Sequence, residues 1–164
     1  MPRVKQSSIL KIHSSRVKRM LNDRRFKRRM AMASRVRVDR SYDVPYVAGY
    51  SDDAKTVYID RHLKTKMDSM DVERFIVTHE LVEKALLDLF NITYQQAHHI
   101  ATYVEHEHAV KSGVNWRAYT KFLDPQMKLI GSEKVKKIPK DLDLEPYEDE
   151  KDFELLKRMK LHAR

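Results

Sequence analysis

Apolar side chains recur with helical spacing over residues 71–90 and 94–111, and this periodicity predicts two long helices. Thr93 and Gln96 have the spacing of a capping box at the start of the second helix. Gly113 follows at the position where a glycine commonly ends a helix. Because only a few residues join the two helices, we expect them to pack side by side as a helical hairpin.

Strand patterns precede this helix pair. Val36 and Val38 alternate with arginines, and residues 56–59 (TVYI) are β-branched and aromatic, which is typical of strands. These segments predict a small antiparallel sheet over residues 35–60, followed by the packed helices. The expected fold class is α+β and mostly helical, with extended charged termini.

The two ends of the chain have a different character. Ser14 or Ser15 is placed to cap a basic helix over residues 16–33. Asn115 is placed to cap a short helix that Asp124-Pro125 would end. Beyond it we expect an extended tail with one last helix over 151–161. The predicted organisation is a basic helical arm (1–34), an α+β core (35–124) and a charged tail (125–164).

Composition excludes several classes of function. The 164 residues include no cysteine, which excludes disulfides and cysteine-based zinc sites, and only three glycines, which argues against a glycine-rich phosphate loop. The sequence has no apolar run of about 18 residues, so we expect no membrane span. The basic start of the chain lacks the apolar segment of a secretory signal, so we expect a cytoplasmic protein.

Charge is distributed unevenly. Residues 1–40 hold 14 lysines and arginines and two acids, whereas residues 141–154 hold eight acids and one lysine. The basic segment predicts contact with the phosphate backbone of a nucleic acid, without sequence preference, or with an acidic protein surface. An acidic segment of a second copy is one such surface, so an oligomer is a further expectation. The residues expected to make the contact are Arg24, Arg25, Lys27, Arg28 and Arg29.

His79 and Glu83 lie one turn apart, in the middle of the apolar stripe of the first long helix. A carboxylate buried there without a partner would cost several kcal/mol or take up a proton. We therefore expect a cation to face Glu83. The candidates are a metal ion, a buried arginine or lysine such as Arg61, or His79 itself in its protonated form. The last two would make the pair purely structural.

The second long helix carries His98 and Glu105 on the face expected to meet this pair. They are about 10 Å apart along the helix axis, so we do not expect one metal ion to bind both directly. Two histidines and one carboxylate, or one histidine and two carboxylates, with a fourth position open, form a catalytic zinc arrangement. Glu80 lies at the edge of the same stripe, where it could act as general base on metal-bound water.

Residues 78–83 (THELVE) resemble the His-Glu-x-x-His helix motif of the zincin metallopeptidases. The likeness extends over about residues 50–110, with Glu83 standing where that family has histidine. The resemblance implies that His79 is a metal ligand and Glu80 the general base. It also implies that strand 56–59 is an edge for the substrate backbone.

The sequence therefore predicts a metal-dependent hydrolase of peptide or amide bonds, active or degenerate, with zinc or another divalent transition metal. The expected metal ligands are His79, Glu83, His98 and Glu105, and the expected catalytic base is Glu80. The alternative is a structural or assembly protein whose basic arm contacts a nucleic acid or a larger complex. In that case the His79–Glu83 pair only holds the helices together.

Overall fold

The computed structural model describes residues 11–162, so residues 1–10 of the predicted basic arm lie outside the described part. The helices of this part are α1 (Ser15–Asn22), α2 (Arg24–Ala31), α3 (Glu73–Leu89), α4 (Tyr94–Lys111), α5 (Trp116–Ser132), α6 (Glu145–Asp149) and α7 (Phe153–His162). The strands are β1 (Arg37–Asp39), β2 (Ala48–Tyr50), β3 (Thr56–Ile59), β4 (Lys66–Met67) and β5 (Met70–Asp71). The mostly helical α+β class is confirmed. Within residues 11–162, no helix is long and apolar enough to cross a membrane.

Three of the strands form one sheet in the order β1-β3-β2. β2 and β3 pair antiparallel, but β1 runs parallel to β3, so the sheet is mixed rather than purely antiparallel. The difference arises because β3, the last of the three strands in the chain, lies between β1 and β2. It forms a hairpin with β2 and therefore runs in the same direction as β1. The expectation that strand 56–59 offers an edge to a substrate is wrong, since β3 is paired on both sides. β4 and β5 form a separate hairpin.

α3 and α4 form the predicted helical hairpin. α4 begins at a complete capping box between Thr93 and Gln96, and it is followed by Gly113 with a φ of +81°. Residues 79–86 of α3 are buried without interruption. An amphipathic surface helix would expose one face of such a segment, so α3 must be covered on every side by other elements.

The basic segment forms two helices instead of the single helix predicted over residues 16–33. Ser14 caps α1, as expected. The helix then stops at Asp23, whose backbone is extended with a ψ of 137° and whose side chain accepts a hydrogen bond from the Arg25 N–H. This break allows both short helices to bury apolar residues against α3 and α4. The residues that do so are Val17, Met20 and Phe26.

α5 begins at the predicted cap, Asn115, but runs through Pro125 to Ser132 instead of ending at the proline. A proline inside a helix leaves the carbonyl four residues earlier without its hydrogen bond. That residue is Lys121, which is exposed, so water can satisfy its carbonyl. The prediction of a short helix was wrong because this cost is small at an exposed position.

The C-terminal segment packs against the sheet, so the prediction of an extended tail was wrong, although its last helix is present as α7. The Asp143 N–H donates to the Tyr50 carbonyl, and Leu142 bridges to Ser51. The segment therefore lines the outer edge of β2. Its buried apolar residues are Ile138, Leu142, Tyr147, Leu155, Leu156 and Met159.

A buried lysine ties α3 to this segment. The side chain of Lys84 is 6% exposed, and its Nζ lies 2.6 Å from Asp143 and 2.9 Å from Asp88. Burial opposes the charge, but these two carboxylates outweigh it and raise the pKa of Lys84 above its ordinary value. Lys84 therefore stays charged and neutralises the buried Asp143.

We expect Lys84→Met to lower the free energy of unfolding by about 3 kcal/mol, because it leaves Asp143 buried without its cation. Urea denaturation measures this change. Lys160→Met removes an exposed lysine of α7 and should change the stability by less than about 0.5 kcal/mol. Equal stabilities of the two variants would show that the ion pair does not hold the C-terminal segment in place.

A candidate metal centre between two helices

Two histidines and one glutamate converge in the interface of α3 and α4. His79 and Glu83 come from successive turns of α3, and His98 comes from the first half of α4. His79 Nε2 lies 3.0 Å from His98 Nδ1 and 3.4 Å from Glu83 Oε2, and His98 Nδ1 lies 2.9 Å from Glu83 Oε2. Among the described residues, these three form the one cluster with donor atoms close enough to share a metal ion.

The spacing of the three donor atoms suits a small divalent cation. Zinc binds nitrogen and oxygen ligands at about 2.0–2.2 Å, so two ligand atoms on a tetrahedron are about 3.3 Å apart. The observed separations of 2.9, 3.0 and 3.4 Å are close to that value. The His98 side chain is 49% exposed while that of Glu83 is 4% exposed, so the cluster is open to solvent on the α4 side.

Glu105 lies outside the cluster, on the opposite side of the His79 ring. His79 Nδ1 donates to Glu105 Oε2 over 2.9 Å, and the Tyr119 hydroxyl of α5 donates to Glu105 Oε1 over 2.6 Å. The sequence predicts both His98 and Glu105 as metal ligands. In the structure only His98 lies with His79 and Glu83, and Glu105 is not in the cluster. A carboxylate that accepts the Nδ1 proton fixes the tautomer whose free Nε2 can bind a metal.

Tyrosines support the site from two other elements. The Tyr50 hydroxyl at the end of β2 donates to Glu83 Oε1 over 3.1 Å, and Tyr119 of α5 supports Glu105. Neither tyrosine is among the residues predicted from the sequence. Tyr119 lies three residues after Trp116 and so shares its helix face, but that spacing gives no indication of which acid it meets. Burial and the neighbouring carboxylates raise the pKa of both tyrosines, so they remain neutral donors.

Glu80 is the one acid of this region without a hydrogen bond among the described residues. Its side chain is buried next to His79 in the chain. Burial, and then the charge of Glu83, raise the pKa of Glu80 to about 8. The expected catalytic base is therefore a buried carboxyl group whose raised pKa favours its protonated form, and it makes no hydrogen bond within the described residues.

The cluster also has to balance its own charge. Burial opposes a charge on His79, but hydrogen bonds with Glu105 and Glu83 outweigh it and hold the His79 pKa well above its usual range. Burial would raise the pKa of Glu83, but hydrogen bonds from His79 and His98 lower it instead. The carboxyl groups of Glu83 and Glu105 thus flank His79, and either the proton of His79 or a bound cation can face them.

Arg61 and two further histidines of α4, His106 and His108, have other partners. Arg61, the alternative partner of Glu83, lies 2.7 Å from Asp43. His108 Nδ1 lies 2.9 Å from the Thr78 hydroxyl, and His106 packs its ring against Trp116. The buried carboxylate of Glu83 is therefore met by histidines and a tyrosine instead of an arginine.

Comparison with family models, with curated proteins and with solved structures gives no match for this chain. The resemblance of residues 78–83 to the zincin motif therefore stays a prediction from the sequence.

We expect the purified protein to bind about one zinc ion per chain, and His98→Ala to abolish this binding because it removes the only ligand that α4 contributes. Titration calorimetry with zinc measures the effect. Glu105→Gln should weaken binding by about 10- to 100-fold, since it removes an outer partner of a ligand and leaves the ligand itself.

The matched control for this experiment is His99→Ala, which removes the neighbouring, exposed histidine of the same helix. It should bind zinc like the unmodified protein. If His98→Ala and His99→Ala lose zinc equally, or if the unmodified protein takes up none, the cluster is not a zinc site.

Proposed function

We propose that this protein is a metal-dependent hydrolase of peptide or related amide bonds, with zinc or another divalent transition metal held by His79, Glu83 and His98. The observation that carries the proposal is the convergence of two imidazoles and one carboxylate within 3.4 Å, with solvent on one side. Three protein ligands with a fourth position open to solvent are typical of catalytic zinc. A metal ion held by these residues would lower the pKa of a bound water and polarise a carbonyl.

Glu80 is assigned the role of general base. It directly follows the ligand His79, and none of its oxygens is committed to a hydrogen bond within the described residues. A general base must be free to accept a proton from the attacking water and to pass it to the leaving amine. Glu80 can do so only in its ionised form, which a divalent cation at the neighbouring cluster would favour by lowering its raised pKa. Glu83 cannot take this role, because Tyr50 and His98 already bond its two oxygens.

The outer partners of the ligands support the same assignment. Glu105 holds the His79 ring by its Nδ1 proton, and Tyr119 holds Glu105 in turn. Tyr50 orients Glu83 from the sheet. Each α3 ligand thus has a hydrogen-bonded partner on another element, as is usual where a metal ion needs fixed ligand positions. The likeness of residues 78–83 to the zincin motif is the argument for an amide bond as the substrate.

The alternative is that the cluster only stabilises the helix pair. In that case a proton on His79 neutralises Glu83 and Glu105, and the function lies in the basic helices α1 and α2. The two possibilities differ in one measurable property, since a protonated structural pair needs no metal and a hydrolase does.

For the metal-loaded protein, we expect Glu80→Gln to reduce hydrolysis by about 10²- to 10⁴-fold while the bound metal stays in place. The amide has the size of the carboxyl group but cannot accept the proton. Cleavage of fluorescein-labelled casein and of a quenched peptide library measures activity, and elemental analysis measures the metal.

Glu107→Gln serves as the matched control, because Glu107 lies on α4 and pairs only with surface groups, His106 and Lys111. Its activity should equal that of the unmodified protein. If Glu80→Gln is as active as Glu107→Gln, Glu80 is not the base. If the metal-loaded protein cleaves neither probe, the hydrolase assignment for peptide bonds fails although the metal site stands.

A further inference from the structure

We propose that the outer surface of α1 and α2 binds the phosphate backbone of a duplex nucleic acid, independently of the metal centre. We call this surface the basic face. It consists of five exposed cations without an ion pair among the described residues: Lys18, Arg19, Arg24, Lys27 and Arg28.

The protein body holds the basic face in a fixed position. Val17, Met20 and Phe26 bury the opposite sides of the two helices against α3 and α4. Arg29 forms an ion pair with Asp88 of α3, and Arg16 donates to the Asn91 carbonyl beyond the end of α3. The cations are therefore presented on docked helices and not on a free arm.

The cations of the basic face repel one another in the protein alone. Arg24 and Arg28 are four residues apart on α2, and Lys27 lies three residues after Arg24, so all three share one side of the helix. Like charges at this spacing destabilise a helix. The one acid within the two helices and their junction, Asp23, is already paired with Arg25. An anionic partner would relieve the repulsion.

A membrane surface is the weaker explanation for the basic face. Helices that bind a bilayer insert an exposed apolar side among the lipid headgroups. Here the apolar sides of α1 and α2 are buried against α3 and α4. The exposed residues of α1 and α2 are mostly charged. Ala31 and the adjacent Met32 are exposed apolar residues at the end of α2, but they form no apolar stripe along the helices, so the surface suits a highly charged polymer.

The acidic segment of a second copy is also a weaker partner than the sequence suggests. Residues 141–154 are folded onto the sheet, and several of their acids already have partners in the same chain. Asp141 accepts from the Tyr58 hydroxyl, Asp143 pairs with Lys84, and Asp149 accepts from the Tyr94 N–H.

The form of nucleic acid follows from what the basic face lacks. Proteins that bind single strands stack the bases on exposed aromatic side chains. Phe26 is the one aromatic residue of α1 and α2, and it is 5% exposed. The basic face can therefore form ion pairs with phosphates, but it has no exposed aromatic ring on which a base could stack. This favours a duplex and predicts little sequence preference.

The test measures binding of two unrelated 24-base-pair DNA duplexes by fluorescence anisotropy, at several salt concentrations. The triple variant Arg24→Gln/Lys27→Gln/Arg28→Gln should bind both duplexes at least about tenfold more weakly at 0.1 M salt. The slope of log affinity against log salt should fall by about 0.9 for each phosphate that the variant no longer neutralises.

A matched control removes the same charge from another exposed surface, with Lys121→Gln/Lys128→Gln/Lys134→Gln. Both variants change only exposed side chains, and thermal unfolding checks that both remain folded. The control should keep the affinity and the salt slope of the unmodified protein. Equal weakening in the two variants would mean that only net charge matters and would overturn the assignment of the basic face.

Further probes distinguish the kind of anion. Duplex DNA or duplex RNA should compete with the labelled duplex better than single-stranded DNA of equal charge, and better than polyglutamate. Binding to phosphatidylserine vesicles or to polyglutamate without binding to either duplex would overturn the proposal. Zinc removal should leave duplex binding unchanged, so this test succeeds or fails separately from the hydrolase assignment.

Discussion

Two carboxyl groups, those of Glu83 and Glu105, are buried where α3 meets α4, and any charge they carry must be balanced inside the protein. Most of the fold around the helix pair contributes to this balance. α4 brings His98, the end of β2 brings the Tyr50 hydroxyl, and α5 brings Tyr119. A helix interface built only for stability would be filled with apolar residues, since burying ions costs more than they return unless they are well paired. The presence of several buried acids in this region is the physical reason to look for a function.

Neutralisation by a proton and neutralisation by a metal ion make different demands on the same residues. A proton on His79 neutralises the carboxylates of Glu83 and Glu105. It gives no reason why the half-exposed His98 also contacts Glu83. A divalent cation would have His79, Glu83 and His98 as ligands and would keep Glu105 as the partner that orients His79. It also gives a reason for Glu80, an acid that has no hydrogen bond in the described structure.

The sequence was most informative where a local pattern and the tertiary structure agree. The capping box at Thr93 placed the start of α4, and the helical spacing of His79 and Glu83 placed them in a buried stripe. It also predicted that His98 and Glu105 of α4 approach this pair. It did not predict that His98 joins the cluster while Glu105 bonds the other side of the His79 ring, because this depends on how α4 packs against α3. Tyr50 and Tyr119 could not be found, since each meets its acid only through the packing of a separate element. The folded C-terminal segment was missed for the same reason: its attachment depends on Lys84, 59 residues away from Asp143.

α3 connects these separate features because its successive residues face different neighbours. His79 and Glu83 face α4, Val82 and Leu86 face the basic helices, and Lys84 faces the C-terminal segment. A helix whose sides are all covered has little room to shift, since protein interiors are closely packed. The basic face and the candidate metal centre therefore share one rigid support, although neither supplies a residue to the other. That arrangement would hold a bound polyanion and a metal-dependent reaction in a constant relative position.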